Sequence, residues 1–146
     1  RADVAFLAGA EGVHLGQEDV SVGSARRLLG PGAVIGLSTH TAAQLKAGRD
    51  EPIDYLAIGP VFKTRTKTDA APLVCLSGVR DARRMYDGPL VAIGGINASR
   101  IAAVLDAGAD AAAVISAVSG SSPREMAERV QELLAEAGRK TRECFQ

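Results

Sequence analysis

Six consecutive residues, Lys63-Thr64-Arg65-Thr66-Lys67-Thr68, alternate cation and hydroxyl. Point charges at that density draw in an anion and the hydroxyls fix its oxygens, so the segment suits a phosphorylated ligand better than a merely solvated loop. Two further stretches fit the same chemistry. Gly94-Gly95-Ile96-Asn97 lets backbone amides approach a ligand closely, with Asn97 placed to cap a following helix. Val114-Ile115-Ser116-Ala117 supplies a hydroxyl about 20 residues further on, just ahead of a helix start, and such adjacent loops form a phosphate cradle. The acids of Gly16-Gln17-Glu18-Asp19 either complement the dipole of a helix start or offer a carboxylate to Mg²⁺. In Ser38-Thr39-His40-Thr41 the hydroxyls suit phosphate, while Thr41 with Gln44 reads as a helix cap. His14 falls inside an apolar run and reads as a satisfied core or rim histidine. His40 has no nucleophile and acid matched to it, which argues against a Ser-His-Asp hydrolase.

These residues need elements to hold them. Apolar runs at 12–15, 33–37, 55–58, 90–93 and 111–115 lack polar alternation and read as parallel strands buried on both faces. Amphipathic stretches at 2–8, 22–29, 42–47, 76–85, 98–107 and 124–137 separate them as helices. The last helix is the best marked: Ser122 can cap, Pro123 takes the first helical position, and Glu125 can reach back to the cap. Ala8-Gly9-Ala10-Glu11 and Ala107-Gly108-Ala109-Asp110 repeat one device, a helix closed by a left-handed glycine before a strand. Strict alternation leaves an open doubly wound sheet or part of a (β/α)8 barrel. No GxGxxG opens a helix after the first strand, which removes support for the dinucleotide-binding open sheet. The barrel is preferred, and in it every loop after a strand opens on one rim.

The 146 residues suffice for a single packed domain, taken as 1–146. Seventeen Lys+Arg balance seventeen Asp+Glu, so the counterion-release drive for nucleic acid or anionic membrane is missing. No apolar run reaches the roughly 18–20 residues of a membrane span. Cys75 and Cys144 form neither a disulfide framework nor a zinc spacing, and a reducing cytoplasm fits. Small-molecule substrates are therefore the expected partners, with neither nucleic acid nor membrane, and a homo-oligomer is left open.

Taken together, 12–19 (GVHLGQED), 36–40 (GLSTH), 55–67 (YLAIGPVFKTRTK), 91–96 (VAIGGI) and 114–117 (VISA) resemble thiamine-phosphate synthase in order and spacing, to about residue 117 and with a similar final helix. The resemblance implies a (β/α)8 barrel that joins hydroxymethylpyrimidine diphosphate to a thiazole phosphate with Mg²⁺, giving thiamine phosphate and pyrophosphate. It implies that Asp19 is a Mg²⁺ ligand and that Ser38 and Lys67 contact the pyrimidine diphosphate as the catalytic pair. Thr64, Arg65 and Thr66 would hold the thiazole substrate, and Gly95, Ile115 and Ser116 its phosphate.

The chain also departs from the family. Lys63 stands where many relatives have Pro, a change of loop stiffness more than of chemistry. The family's first three βα units, with a Gln-x-Arg-x-Lys segment and an Asn-Asp pair, have no counterpart, so the sequence is expected to be an excerpt, inactive or poorly folded as a lone monomer. Two rival readings follow. A thiazole tautomerase-like paralogue would carry a His where Pro60 stands, and a non-catalytic phosphate-binding remnant would bind without turnover.

Overall fold

The computed structural model of the protein describes residues 1–64, 66 and 71–138. Eleven elements alternate along the described chain: α1 (Ala2–Leu7), β1 (Gly12–Leu15), α2 (Val22–Leu29), β2 (Val34–Thr39), α3 (Ala42–Gly48), β3 (Tyr55–Ile58), α4 (Cys75–Met85), β4 (Leu90–Ile93), α5 (Ala98–Asp106), β5 (Ala111–Ala113) and α6 (Pro123–Gly138). The strands form one parallel sheet in the order β1-β2-β3-β4-β5. Chain order and spatial order coincide, so the sheet has no point at which a doubly wound fold would reverse. Among the described residues no helix is long and apolar enough to cross a membrane.

Single-direction winding sets the helices in one layer, with α1 against α2 and α3 to α6 packed successively. The core lies between that layer and one face of the sheet: Leu15, Ile35, Leu37, Leu56, Ile58 and Leu90 meet Val22, Ala25, Leu45, Val79, Ile101 and Val104. Thr39, the buried polar residue of this core, donates its hydroxyl to the Ala57 carbonyl at 2.9 Å. Burial on both faces, expected from the apolar runs, is not what the structure has. The second face carries His14 and Ala111, both exposed, with Val34 at 49% and Ile93 at 38% exposure. An apolar run specifies that both faces tolerate burial; which face is covered depends on where the helices pack.

Local chemistry explains the boundaries. Ser21 caps α2 by accepting the Ser24 N–H, and Thr41 caps α3 by accepting the Gln44 N–H, both at 3.2 Å. At α6, Ser122 accepts from Glu125 N–H, while the Glu125 carboxylate reaches back to the backbone and hydroxyl of Ser121, one residue before the expected cap. Gly9 and Gly108 follow their helices at φ +62° and +110°, the left-handed closures expected. β2 runs two residues beyond the expected end because Ser38 and Thr39 pair with Ala57 and Ile58. β5 ends at Ala113 rather than 115, since the Ile115 carbonyl accepts from Val118 N–H and Ser119 Oγ, which turns the chain away from the sheet.

Candidate functional site

The described parts of the segments singled out in the sequence lie at or beyond the carboxyl ends of the strands, and the structure sorts the polar groups around them into two sets. The first stands on the open sheet face. Strand register sets His14 beside Gly36 and Gly36 beside Tyr55. Gly36 has no side chain, and the Tyr55 ring occupies the space: a Cβ there would lie 2.1 Å from Tyr55 Cζ. The ring thus crosses β2 and its hydroxyl meets His14 Nδ1 at 2.9 Å, with the two rings stacked 5.5 Å apart. The other imidazole nitrogen, Nε2, meets Ser38 Oγ at 2.7 Å. Ser38 is also held through its backbone, because Gln17 Nε2 donates to the Ser38 carbonyl at 2.6 Å. Partial desolvation beside the Tyr55 ring and the sheet face holds the His14 imidazole below its ordinary pKa, against the opposing pull of the Asp19 carboxylate, and partial desolvation raises the Tyr55 phenol. A neutral imidazole between two hydroxyls passes one hydrogen bond along the chain and fixes the direction of Ser38 Oγ.

Asp19 sits at the same end. Its Oδ2 accepts the Gly16 N–H at 2.7 Å and closes the 16–19 turn. It lies outside α2, which has no acid in its first turn and is capped by Ser21, so the dipole alternative does not describe it. His40 donates Nδ1–H to the Gly59 carbonyl at 2.6 Å, and its backbone N–H donates to Gln44 Oε1. That arrangement is structural. Among the described residues no group of three or more His, Cys, Asp or Glu is gathered for a metal ion.

The second group forms a cleft of about 450 Å³ among the loops that follow β3, β4 and β5. Thr64, Thr66, Gly95 and Ser116, four of the expected site residues, line it together, joined by Lys63, Ile96, Asn97 and Arg100. Among the described residues no carboxylate lines it. Ile115 is 60% exposed and is not among the lining residues. Arg65 and Lys67 lie outside the described residues. The glycine pair is required by backbone and by packing: Gly94 and Gly95 adopt φ +103° and +62°, and a Cβ on Gly95 would stand 2.5 Å from the Lys63 carbonyl. Val61 N–H donates to Ile93 O and Phe62 N–H to Gly94 O, which ties the two loops side by side. Asn97 occupies the cap position of α5, but its Oδ1 accepts from Ser99 Oγ instead of a helix N–H. The expected cap bond is therefore absent, and the residue serves the cleft wall. A cationic, hydroxyl-lined cleft of this size has the chemistry that suits an anionic small molecule.

Sequence reading misses His14 as the partner of Ser38, Tyr55 as the partner of His14, Gln17 as the support of the Ser38 carbonyl, and Asn97 and Arg100 as cleft lining, whereas Lys63 belongs to the cation–hydroxyl segment that it singles out. The pairing signal was present in the alternation of β1 to β3, which puts His14, Gly36 and Tyr55 on one row. Arg100 has no signal beyond standing in the first turn of the helix that follows the glycine pair.

The profile of the thiamine monophosphate synthase family matches residues 1–118. The chain is 44% identical over 142 residues to the thiamine-phosphate synthase of Anaeromyxobacter dehalogenans, covering 97% of this chain and 64% of that protein. It is 47% identical over 135 residues to the thiamine-phosphate synthase of Albidiferax ferrireducens, covering 92% and 62%. The solved thiamine phosphate pyrophosphorylase from Pyrococcus furiosus superposes with a TM-score of 0.79 at 36% identity, over 94% of this chain and 65% of that one. The chain thus spans a little under two thirds of the length of these relatives.

Proposed function

The chain belongs to the thiamine monophosphate synthase family, and on that premise we propose that its gene product couples hydroxymethylpyrimidine diphosphate to a thiazole phosphate, giving thiamine phosphate and pyrophosphate. The observation that carries this reading is the cationic, hydroxyl-lined cleft, in which Thr64, Thr66, Gly95 and Ser116 meet beside Lys63, at the same end of the sheet as Ser38 and Asp19. In this proposal the five strands are consecutive members of a (β/α)8 barrel. Sequential strand order, helices on one face and an open polar second face all support it, because that second face is the lining of such a barrel. β1 and β5 stand at the two edges of the sheet, where further strands would pair.

The reaction breaks the bond between the pyrimidine methylene carbon and the diphosphate oxygen, and the electron pair leaves with pyrophosphate. The thiazole nitrogen then donates its lone pair to the pyrimidinylmethyl cation, forming the new C–N bond. No protein nucleophile is needed, in keeping with a rim rich in anion binders and without a matched acid and base. Lys67 meets the charge that develops on the leaving group. Ser38, aimed by His14 and by Gln17, contacts the pyrimidine substrate. Thr64, Arg65 and Thr66 hold the thiazole, while Gly95, Ile115 and Ser116 offer its phosphate backbone amides and a hydroxyl. Asp19 would hold a Mg²⁺ ion as one carboxylate ligand, since Oδ2 is engaged by the Gly16 N–H while Oδ1 is left over for a hard cation. When bound, the ion would neutralise charge on the departing pyrophosphate.

The reading is tested by Lys67→Ala in the complete gene product. Loss of the leaving-group contact lowers kcat/KM by about 10²-fold or more, and an unchanged rate rejects the assignment.

A further inference from the structure

Arg100 is an exposed cation that no step above employs. It lies in the first turn of α5, and three observations tie it to the cleft. Its guanidinium carbon stands 4.8 Å over the centre of the Phe62 ring. Its Nη1 donates to the Gly95 carbonyl at 2.8 Å. The side chain lines the same cleft as Lys63, Thr64 and Ser116. Phe62 belongs to the loop after β3 and Gly95 to the loop after β4, so one guanidinium bridges the two walls that carry the hydroxyl and the backbone donors.

Only a planar cation satisfies both contacts at once. Stacking on an aromatic face uses the plane of the guanidinium, and the hydrogen bond to Gly95 uses its edge. Nη2 makes no hydrogen bond to another described residue, which leaves a donor for a ligand. Lys63 is the other cation among the described lining residues, and no acid stands among them.

We propose that Arg100 is a positioning and specificity residue for the phosphomonoester end of the ligand: it locks the two loops into one wall and, with Lys63, sets the preference for a dianion over an uncharged alcohol. This rests on reading the cleft as the thiazole-phosphate site. It adds a residue and a selectivity rule to that reading.

The test compares wild type, Arg100→Ala and Arg100→Lys in the complete gene product, with inorganic phosphate binding followed by calorimetry beside steady-state kinetics. Arg100→Ala is expected to weaken phosphate binding and raise KM for the thiazole phosphate about tenfold, with kcat within about threefold and KM for the pyrimidine diphosphate unchanged. Preference for thiazole phosphate over the unphosphorylated thiazole alcohol should fall by the same factor. Arg100→Lys keeps the charge without the planar contacts and should restore phosphate binding only in part. Unchanged phosphate affinity and selectivity in Arg100→Ala would overturn the proposal, as would a uniform loss of both KM values and thermal stability, which marks a purely structural role. If wild type binds phosphate and Arg100→Ala does not, yet no coupling occurs, the synthase reading fails and the role of Arg100 stands.

Discussion

The two ends of the sheet use charge in opposite ways. At the amino ends of the strands, charged groups are consumed by the fold. Asp54 Oδ2 accepts the Ile35 N–H at the start of β2 at 2.7 Å and pairs with Arg26 at 2.8 Å, while Arg26 also donates to the carbonyls of Ala33 and Pro52. The same device recurs two βα units later: Asp110 Oδ2 accepts the Leu90 N–H at the start of β4 at 2.7 Å, and Arg83 bridges Asp110 to the Gly88 carbonyl. At the carboxyl ends, by contrast, Lys63 has no ion-pair partner among the described residues, and Asp19 engages the Gly16 N–H through Oδ2 alone. One rim is satisfied internally and closes the fold; the other holds its polar groups for a ligand. Stability and activity should therefore separate by rim when residues are substituted.

The largest effect is expected at Gly36. Gly36→Ala puts a methyl group into the space of the Tyr55 ring and evicts the ring tip, which breaks the bond to His14 and frees Ser38. Misplacement of that kind should lower kcat/KM by about 10²-fold, with Tm little changed because the ring swings toward the open face. A kinetic profile like wild type would show that the His14–Ser38–Tyr55 chain has no bearing on the reaction. Asp54→Ala should do the reverse. Stripping the buried Ile35 N–H of its acceptor costs about 1–3 kcal/mol in chemical denaturation, while kcat stays at the wild-type value. A loss of activity at full stability would erase the contrast between the rims.

A smaller effect follows from pH. The Ile35 N–H, and then Arg26, hold the Asp54 carboxyl below its ordinary pKa. A carboxyl lowered by folding contributes stability above its unfolded pKa, about 3.9, and loses it as pH falls through the lowered folded value. Asp54→Asn should thus flatten the acid limb of the stability curve below about pH 4 and leave its shape near neutrality unchanged. Smaller still is the cap of α6: Ser122→Ala should cost about 1 kcal/mol, read as a lower Tm with activity retained.

Much of this division was legible in the sequence. Strands β1, β3 and β4 and helix α2 fall where periodicity placed them, because apolar runs bounded by glycine and by cap residues leave little freedom in the ends. Thr64, Thr66, Gly95 and Ser116 were identified individually, and the shared rim of a parallel sheet brought them together. What escaped was register and reach. The apolar run ends before Ser38, although the ladder extends to Thr39, and Ser38 is held by His14, 24 residues away, which is in turn held by Tyr55, 41 residues further on. Asn97 has the residue type of a cap, but Ser99, two positions on, competes for its oxygen, and local sequence does not say which donor wins. The open face of the sheet was hidden for another reason: Val34, Ile93 and Ala111 are as apolar as buried residues, and composition does not record what covers them.

The central claim is that the carboxyl-end rim couples two phosphorylated substrates. Its most direct test is pyrophosphate release by the complete gene product, measured with each substrate alone and with both together in the presence of Mg²⁺. The account predicts release that requires both substrates and matches thiamine phosphate formed one for one. Ligand binding at the rim with no pyrophosphate released when both substrates are present would contradict it.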